Sequence, residues 1–462
     1  MNRFQIFALA EKRLLIYNEN KNNFPEYFSE KLNLFLTHNI HSFLDKYMNK
    51  QLISRKSAGI MWLVASFFYA YQYILRVMPS IMLDDIIKRF GMDAATFGQF
   101  SGIYYIGYSL VHIPIGILLD RYGPRKVIPI CILLSIFGIL PIVLAEYWLW
   151  PILGRAITGI GSSAAILGVF KIIRMAYGEQ RFARMLSFSV TIGLLGAIYG
   201  GTPVRYMCKI LTGEIVVYIL AFCGILLAIA SHIAIPETSS KKVEIADPNE
   251  KKSSIWSDMY SVFKNGKVML ICFSAGLMVG PLEGFADIWG PKFLTQVHNI
   301  DSAEASFITS MIFVGMCFGS PVLNFVAERF KSYLGTIIFS GILMFSIFLM
   351  LIISMLTTKV SLIIGFIMVG VCSAYQILAI YQASTYVSEH VAGITTAVAN
   401  MIIMIFGYML HGVIGLVINA CGGITLDVAF SFGIAVIPLT LFLGTLGFSM
   451  VARREAKVRA KS

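Results

Sequence analysis

Between Gly116 and Val127 the chain reads GILLDRYGPRKV. An apolar run stops at Asp120, a cluster of Arg121, Gly123, Arg125 and Lys126 follows, and the sequence turns apolar again. The same change of polarity recurs along the chain: apolar blocks of roughly 20 residues, the length that crosses a bilayer as a helix, alternate with short polar connections. Of 462 residues, 57% are hydrophobic and 13% charged, where a soluble domain carries about 25% charged residues. Inside hydrocarbon the main-chain polar groups must be bonded within their own segment, so the blocks are α-helices. Continuous apolar runs exclude the alternating strands of a membrane barrel.

The blocks predict an all-α membrane protein with twelve transmembrane helices, at about 58–80, 95–118, 127–145, 149–173, 185–206, 215–236, 268–291, 304–327, 333–356, 360–383, 392–418 and 426–450. The expected organisation is a polar extension at 1–55, a six-helix bundle at 56–236, a linker at 237–266, a second six-helix bundle at 267–452 and a basic tail at 453–462. Residues 1–55 read as a disordered or membrane-surface tail, and Met48 heads an alternative start. With the N-terminus inside, basic residues near the membrane number 21 on the inner side and 6 on the outer. That asymmetry places both termini and the linker in the cytoplasm of a cell inner or plasma membrane. It also accounts for the net charge of +12 without a nucleic-acid partner. The seven cysteines are scattered, with no pair or nearby His at metal-ligand spacing, so neither disulfide framework nor metal site is expected.

The stretch from Gly116 to Lys126 resembles the signature between helices 2 and 3 of the major facilitator superfamily, G-x-x-x-D-R-x-G-x-[RK]-[RK]. Gly116, Asp120, Arg121, Gly123, Arg125 and Lys126 all match. A small Gly116 would let helices approach, and Asp120 would accept hydrogen bonds from a neighbouring helix N-terminus and from arginine, a latch that breaks and reforms. A weaker copy, NFVAERFKSY, places Asn324, Glu328, Arg329 and Lys331 where Gly116, Asp120, Arg121 and Gly123 stand. In the fourth block GRAITGIGSSAA resembles the family's R-x-x-x-G-x-G pattern through Arg155, Gly159 and Gly161. Arg155 is grouped with the loop residues as a gating candidate, and either faces an interior partner or snorkels to the outer interface. GLLGAIYGGTP in the fifth block has its proline after the paired glycines, and antiport is not inferred from it.

The first block ends in YQYILRVMPSIM, similar to a stretch of the superfamily's organic-anion symporters in which an arginine meets a substrate carboxylate. Tyr73, Arg76 and Ser80 match; Leu75 and Ser162 stand where that subgroup has acids. Arg76 and Tyr73 are thus substrate-binding candidates, together with Gln376 and Asn400 of the tenth and eleventh blocks, and an interfacial anchor is the other reading of Arg76. In the seventh block Glu283 and Asp287 share a helical face at i, i+4. Paired carboxylates in a low dielectric suit a proton carrier; the alternative is that both are solvated at the outer mouth. Gly280-Pro281 and Gly290-Pro291 flank them as candidate hinges. Lys171 reads as snorkelling to the cytoplasm. His112 and His411 are packed residues or proton-coupling candidates, and Gln376, Asn400 and Tyr375 line a cavity or join helices.

The resemblance implies the major facilitator fold, with a site between the two bundles near the midplane and alternating access. The function expected is secondary transport of a small organic solute, a carboxylate among the candidates, coupled to protons. Efflux of amphipathic cations or drugs, with Glu283 and Asp287 as counter-charges, and a non-transporting sensor on the same scaffold are the alternatives. The implied partners are a small-molecule substrate, protons and the lipid bilayer around a monomer. No Walker pattern, linked nucleophile and base, or cofactor motif is present, so neither ATP drive, catalysis nor a cofactor is expected.

Overall fold

A computed structural model describes residues 55–177, 179–237 and 255–459. The expected N-terminal tail with Met48, most of the linker and the last three residues lie outside the described residues. The chain divides into two compact units, Met1–Gly59 and Ile60–Ser462; the described part of the first is the start of helix Arg55–Ile81.

The described residues form helices and contain no strand. Eleven helices are long and apolar enough to cross a membrane, and a bent pair, Ala94–Leu110 with His112–Tyr122, makes the twelfth. In chain order the spans are Lys56–Ile81, that bent pair, Pro124–Leu144, Leu149–Ala176, Arg184–Ile210, Gly213–Ala234, Gly266–Val297, Ser302–Arg329, Tyr333–Ile352, Lys359–Ser384, Val391–Ala420 and Asp427–Lys457. Large apolar side chains such as Ile60, Phe67, Phe137, Phe222 and Phe325 stay exposed, as expected where lipid is the solvent.

Five spans depart from continuous rods, the third only by a break at Leu140 and the tenth only by one at Ala374. The second bends by 46° at Val111, because Pro114 has no N–H to return to the Leu110 carbonyl and its ring crowds that turn. The fourth breaks at Ser163 between Leu149–Ser162 and Ala164–Ala176. In the seventh, helix Gly266–Leu277 gives way to a π-helix, Gly280–Trp289, before Gly290–Val297 resumes α geometry. Pro281 and Pro291 each withhold a main-chain donor at its borders, and Gly290 N–H reaches back five residues to the Phe285 carbonyl. The linker contains a described helix, Ile255–Lys264, with Val262 buried and Tyr260 exposed.

Within the first half the fourth span packs on the second and third, and the sixth on the third; within the second half the eighth packs on the tenth and the ninth on the twelfth. The halves meet along two seams, second span against eleventh and fifth against eighth. The glycines of GLLGAIYGG serve packing: a Cβ on Gly200 would lie 3.0 Å from Ile74 Cα, so the fifth span rests directly on the first.

The two copies of the loop motif share a backbone device. Gly123 has φ 79° and Lys331 φ 48°, each ending a helix, His112–Tyr122 and Ser302–Arg329 respectively. The repeat therefore preserves a positive-φ turn even where glycine has been replaced. The expected role of Gly116 is not observed: nothing lies within 4 Å of the position a Cβ would take there, so its size does not serve a helix contact in this conformation.

Polar links between the halves cluster at the end opposite Gly123. Lys292 Nζ pairs with Asp84 at 2.7 Å, Arg205 Nε donates to Ser306 Oγ at 2.8 Å and its Nη1 to Ser302, and Asn419 donates to Asp93 at 3.0 Å. At the Gly123 end the links among the described residues include three within a half: Lys171 to Asp120 at 2.6 Å, Arg125 to Glu237 at 3.8 Å, and Asn265 to the Tyr386 carbonyl at 3.1 Å.

Candidate functional site

Arg76 lies in the C-terminal part of the first span, seven residues after Tyr69 and three after Tyr73, so all three share one helical face. That face meets the π-helical segment of the seventh span. Arg76 Nε donates to Asp287 Oδ2 at 2.5 Å, and its Nη2 donates to Glu283 Oε2. Arg76 is 6% exposed, Glu283 1% and Asp287 0%. Neither the interfacial-anchor reading of Arg76 nor the solvated reading of the two acids fits such burial. A lone charge at this depth is costly, and an ion pair offsets that cost when every member is bonded.

Further groups complete the cluster. The Tyr105 hydroxyl is within hydrogen-bond reach of both carboxylates, and the Tyr73 and Tyr105 rings each lie 5.1 Å from the Arg76 guanidinium carbon. Arg155 crosses from the fourth span and donates to the main-chain carbonyls of Leu75 and Arg76, both at 2.6 Å, with its guanidinium 4.8 Å from the Tyr104 ring centre. It is 2% exposed, so it faces the interior and does not snorkel. Tyr104 in turn donates to Gln72 Oε1 at 2.7 Å. His411 Nε2 lies 2.5 Å from the Glu283 main-chain oxygen; a carbonyl only accepts, so that nitrogen carries the proton. His411 Nδ1 and Asp287 Oδ1 have no hydrogen-bond partner among the described residues.

The structure thus brings together Arg76, Tyr73, Glu283, Asp287, His411 and Arg155 from four spans. Gln376 is buried with its Nε2 unpartnered, and Asn400 is half-buried; among the described residues neither is bonded to the cluster. The loop residues form a separate group at the other end. Asp120 pairs with Lys171, and among the described residues no arginine or helix N-terminus bonds it; Lys171 reaches the polar end of its span to make the pair. Arg121 lies against the Tyr122 ring, Arg125 faces Glu237 and Lys126 is exposed. Arg155, grouped with this latch from its motif, belongs to the buried cluster. The residues not foreseen are Tyr105, Tyr104 and Gln72; a tyrosine every turn or so along an apolar block (Tyr104, Tyr105, Tyr108) was the available signal.

The Major Facilitator Superfamily profile matches residues 61–410. The chain is 21% identical over 355 residues to a nitrite extrusion protein of Bacillus subtilis (strain 168), covering 76% of this chain and 85% of that protein. It is 29% identical over 209 residues to the quinolone resistance protein NorB of Staphylococcus aureus (strain JH9), covering 43% of this chain and 40% of NorB. Among solved structures, a bacterial homolog of the human lysosomal transporter Spinster, inward-facing and unoccupied, superposes with TM-score 0.67 at 17% identity over 87% of this chain and 96% of that one. The nucleoside transporter NupG does so with TM-score 0.65 at 17% identity over 85% and 98%. With twelve spans in two packed sets of six and a charged cluster buried where the sets meet, the chain belongs to the major facilitator superfamily, a family of multi-pass membrane transporters.

Proposed function

We propose that this transporter moves a small organic anion by alternating access, with proton binding to Glu283 or Asp287 coupled to substrate binding at Arg76. The observation that carries the reading is the Arg76–Glu283–Asp287 cluster, which joins the first span of one half to the seventh span of the other. Opening the clasped end separates these spans, and a separated carboxylate would be left buried and unpaired unless it takes a proton. A proton on either acid releases one arm of the guanidinium, which a substrate carboxylate can then accept bidentately.

Charge decides between anion and cation. Arginines stay protonated at any working pH, so Arg76 and Arg155 contribute two positive charges and the acids at most two negative ones. The cluster runs from neutral to positive as the acids take protons and is never negative, which favours an anionic solute over an amphipathic cation. Cation–π faces are also already occupied, Tyr73 and Tyr105 by Arg76 and Tyr104 by Arg155. A relative named for nitrite extrusion is in keeping with an anion. The basic-residue asymmetry supports placing Gly123 and both termini at the cytoplasm, so the clasped end is the outer one. The test is flux in proteoliposomes: an inwardly directed proton gradient should accelerate uptake of a small carboxylate, and the combined Glu283→Gln, Asp287→Asn variant should keep substrate exchange but lose the response to the gradient. Flux of carboxylates that ignores the gradient in the wild type, or selective transport of organic cations, rejects the reading.

A further inference from the structure

The first and second spans present an unusual run of aromatic residues to the interior. On the first span Tyr69, Tyr73 and Arg76 fall at i, i+4 and i+7; on the second, Tyr104, Tyr108 and His112 fall at i, i+4 and i+8. Tyr69, Tyr73 and Arg76 share one helical face, as do Tyr104 and Tyr108, and His112 follows across the bend at Val111. The Tyr69 and Tyr73 rings meet edge to face at 5.3 Å. The Tyr104 and Tyr108 rings are stacked with 27° between their planes and 6.2 Å between centres, and His112 continues the stack against Tyr108 at 5.3 Å and 31°. The two faces meet at the ion cluster: the Arg76 guanidinium lies 5.1 Å from the Tyr73 ring of the first span and 5.1 Å from the Tyr105 ring of the second, and Tyr104 donates to Gln72 of the first span at 2.7 Å.

Access is graded along this wall. Tyr73, Tyr104 and Tyr105, beside the ion cluster, are buried, whereas Tyr69, Tyr108 and His112 keep part of their surface free. Tyr104 and Tyr105 are taken up at both hydroxyl and ring, by Gln72, the acids, Arg155 and Arg76, which leaves Tyr69 and Tyr108 as the aromatic surface on offer. A solute whose carboxylate reaches Arg76 would therefore lay the rest of its body along Tyr69 and Tyr108.

Building on the anionic reading above, we infer that the transported class is planar aromatic carboxylates, the carboxylate taken by Arg76 and the ring packed on the Tyr69–Tyr108 wall. Tyrosine faces carry a negative quadrupole and edges a positive one, so a flat π-system gains offset or edge contacts that a puckered ring cannot make. A merely apolar pocket would have the opposite preference, because a saturated six-membered ring buries at least as much apolar surface as a benzene ring.

The test is competition for bound radiolabelled benzoate on the purified full chain in lipid nanodiscs. Cyclohexanecarboxylate should displace benzoate about tenfold less well than unlabelled benzoate does, the scale of aromatic pair contacts, and uncharged benzamide less well still. Tyr108→Leu should bring the ratio of the two acids towards one, while Tyr108→Phe, which keeps the ring, should preserve it. Equal displacement by the two acids overturns the aromatic assignment and leaves the anionic site standing. Saturable binding of benzylamine without binding of benzoate overturns both, and absence of any saturable benzoate binding overturns the aromatic assignment.

Discussion

Arg155 fixes the main chain at Arg76: its Nη2 donates to the Arg76 carbonyl at 2.6 Å while Nη1 holds the Leu75 carbonyl at the same distance. The planar fork of a guanidinium spans two successive carbonyls, and a lysine ammonium on a flexible stem does not do so in one geometry. The arginine of the fourth span thus acts through the arginine of the first.

Arg155→Lys should leave the chain folded and inserted, since the buried charge is retained, but loosen the Arg76 backbone. The expected result is a substrate affinity lowered by about 1.5–3 kcal/mol, the scale of charged hydrogen bonds. The check is a binding titration beside a thermal melt, and affinity equal to wild type would assign Arg155 to packing alone.

Arg76→Ala leaves two carboxylates buried without their counter-charge, and should destabilise the fold by about 3–5 kcal/mol. Adding Glu283→Gln and Asp287→Asn removes the orphaned charge, so the triple variant should regain most of that loss. Its melting temperature relative to the single variant decides the matter. No recovery in the triple variant would mean that the three charges are not an energetic unit.

Gly123 combines φ 79° with ψ 159°, a region open to glycine almost alone, so Gly123→Ala should cost about 1–3 kcal/mol. Lys331, at φ 48°, occupies the left-handed region that a side chain tolerates at a cost of about 1–2 kcal/mol, and Lys331→Gly should be neutral or mildly stabilising. Thermal unfolding of the two variants checks the opposite signs; loss of stability in Lys331→Gly would refute the shared turn.

Asp93 caps helix Ala94–Leu110 by accepting from Thr96 N–H at 2.7 Å and receives Asn419 from the other half. The Thr96 main-chain N–H bonding its carboxylate holds Asp93 below its ordinary pKa of 3.8. A group depressed on folding contributes stability that is complete above its unfolded pKa and lost as pH falls through the folded one. This clasp should therefore be indifferent to pH between about 5 and 8, and Asp93→Ala should cost about 1 kcal/mol, the usual worth of an N-cap, equally at both ends of that range. Melts of wild type and variant at the two pH values check it, and a cost confined to one of them would contradict the assignment.

The membrane fold was legible in the chain because each span is a local pattern. Twenty apolar residues suffice to define a helix in lipid, whatever its neighbours, and the span from Tyr333 to Ile352 or from Gly213 to Ala234 needs no partner to be read. The Gly116–Lys126 signature likewise pointed to the family through adjacent residues, and Arg76, Glu283 and Asp287 stood out singly because a charge within an apolar block is conspicuous. Their meeting was not visible: Arg76 and Glu283 are 207 positions apart, and sequence order carries no record of which spans touch. The same holds for Lys171 with Asp120, 51 positions apart, and for Tyr105, which looks like any aromatic residue in an apolar run until the seventh span is laid beside it. Local hydrophobicity and proline placement decided which segments are helices and where the second and seventh spans break. Only the packing of one half against the other decided that isolated charges become an ion cluster, because burial of charge is tolerated only where opposite charge arrives from elsewhere in the chain.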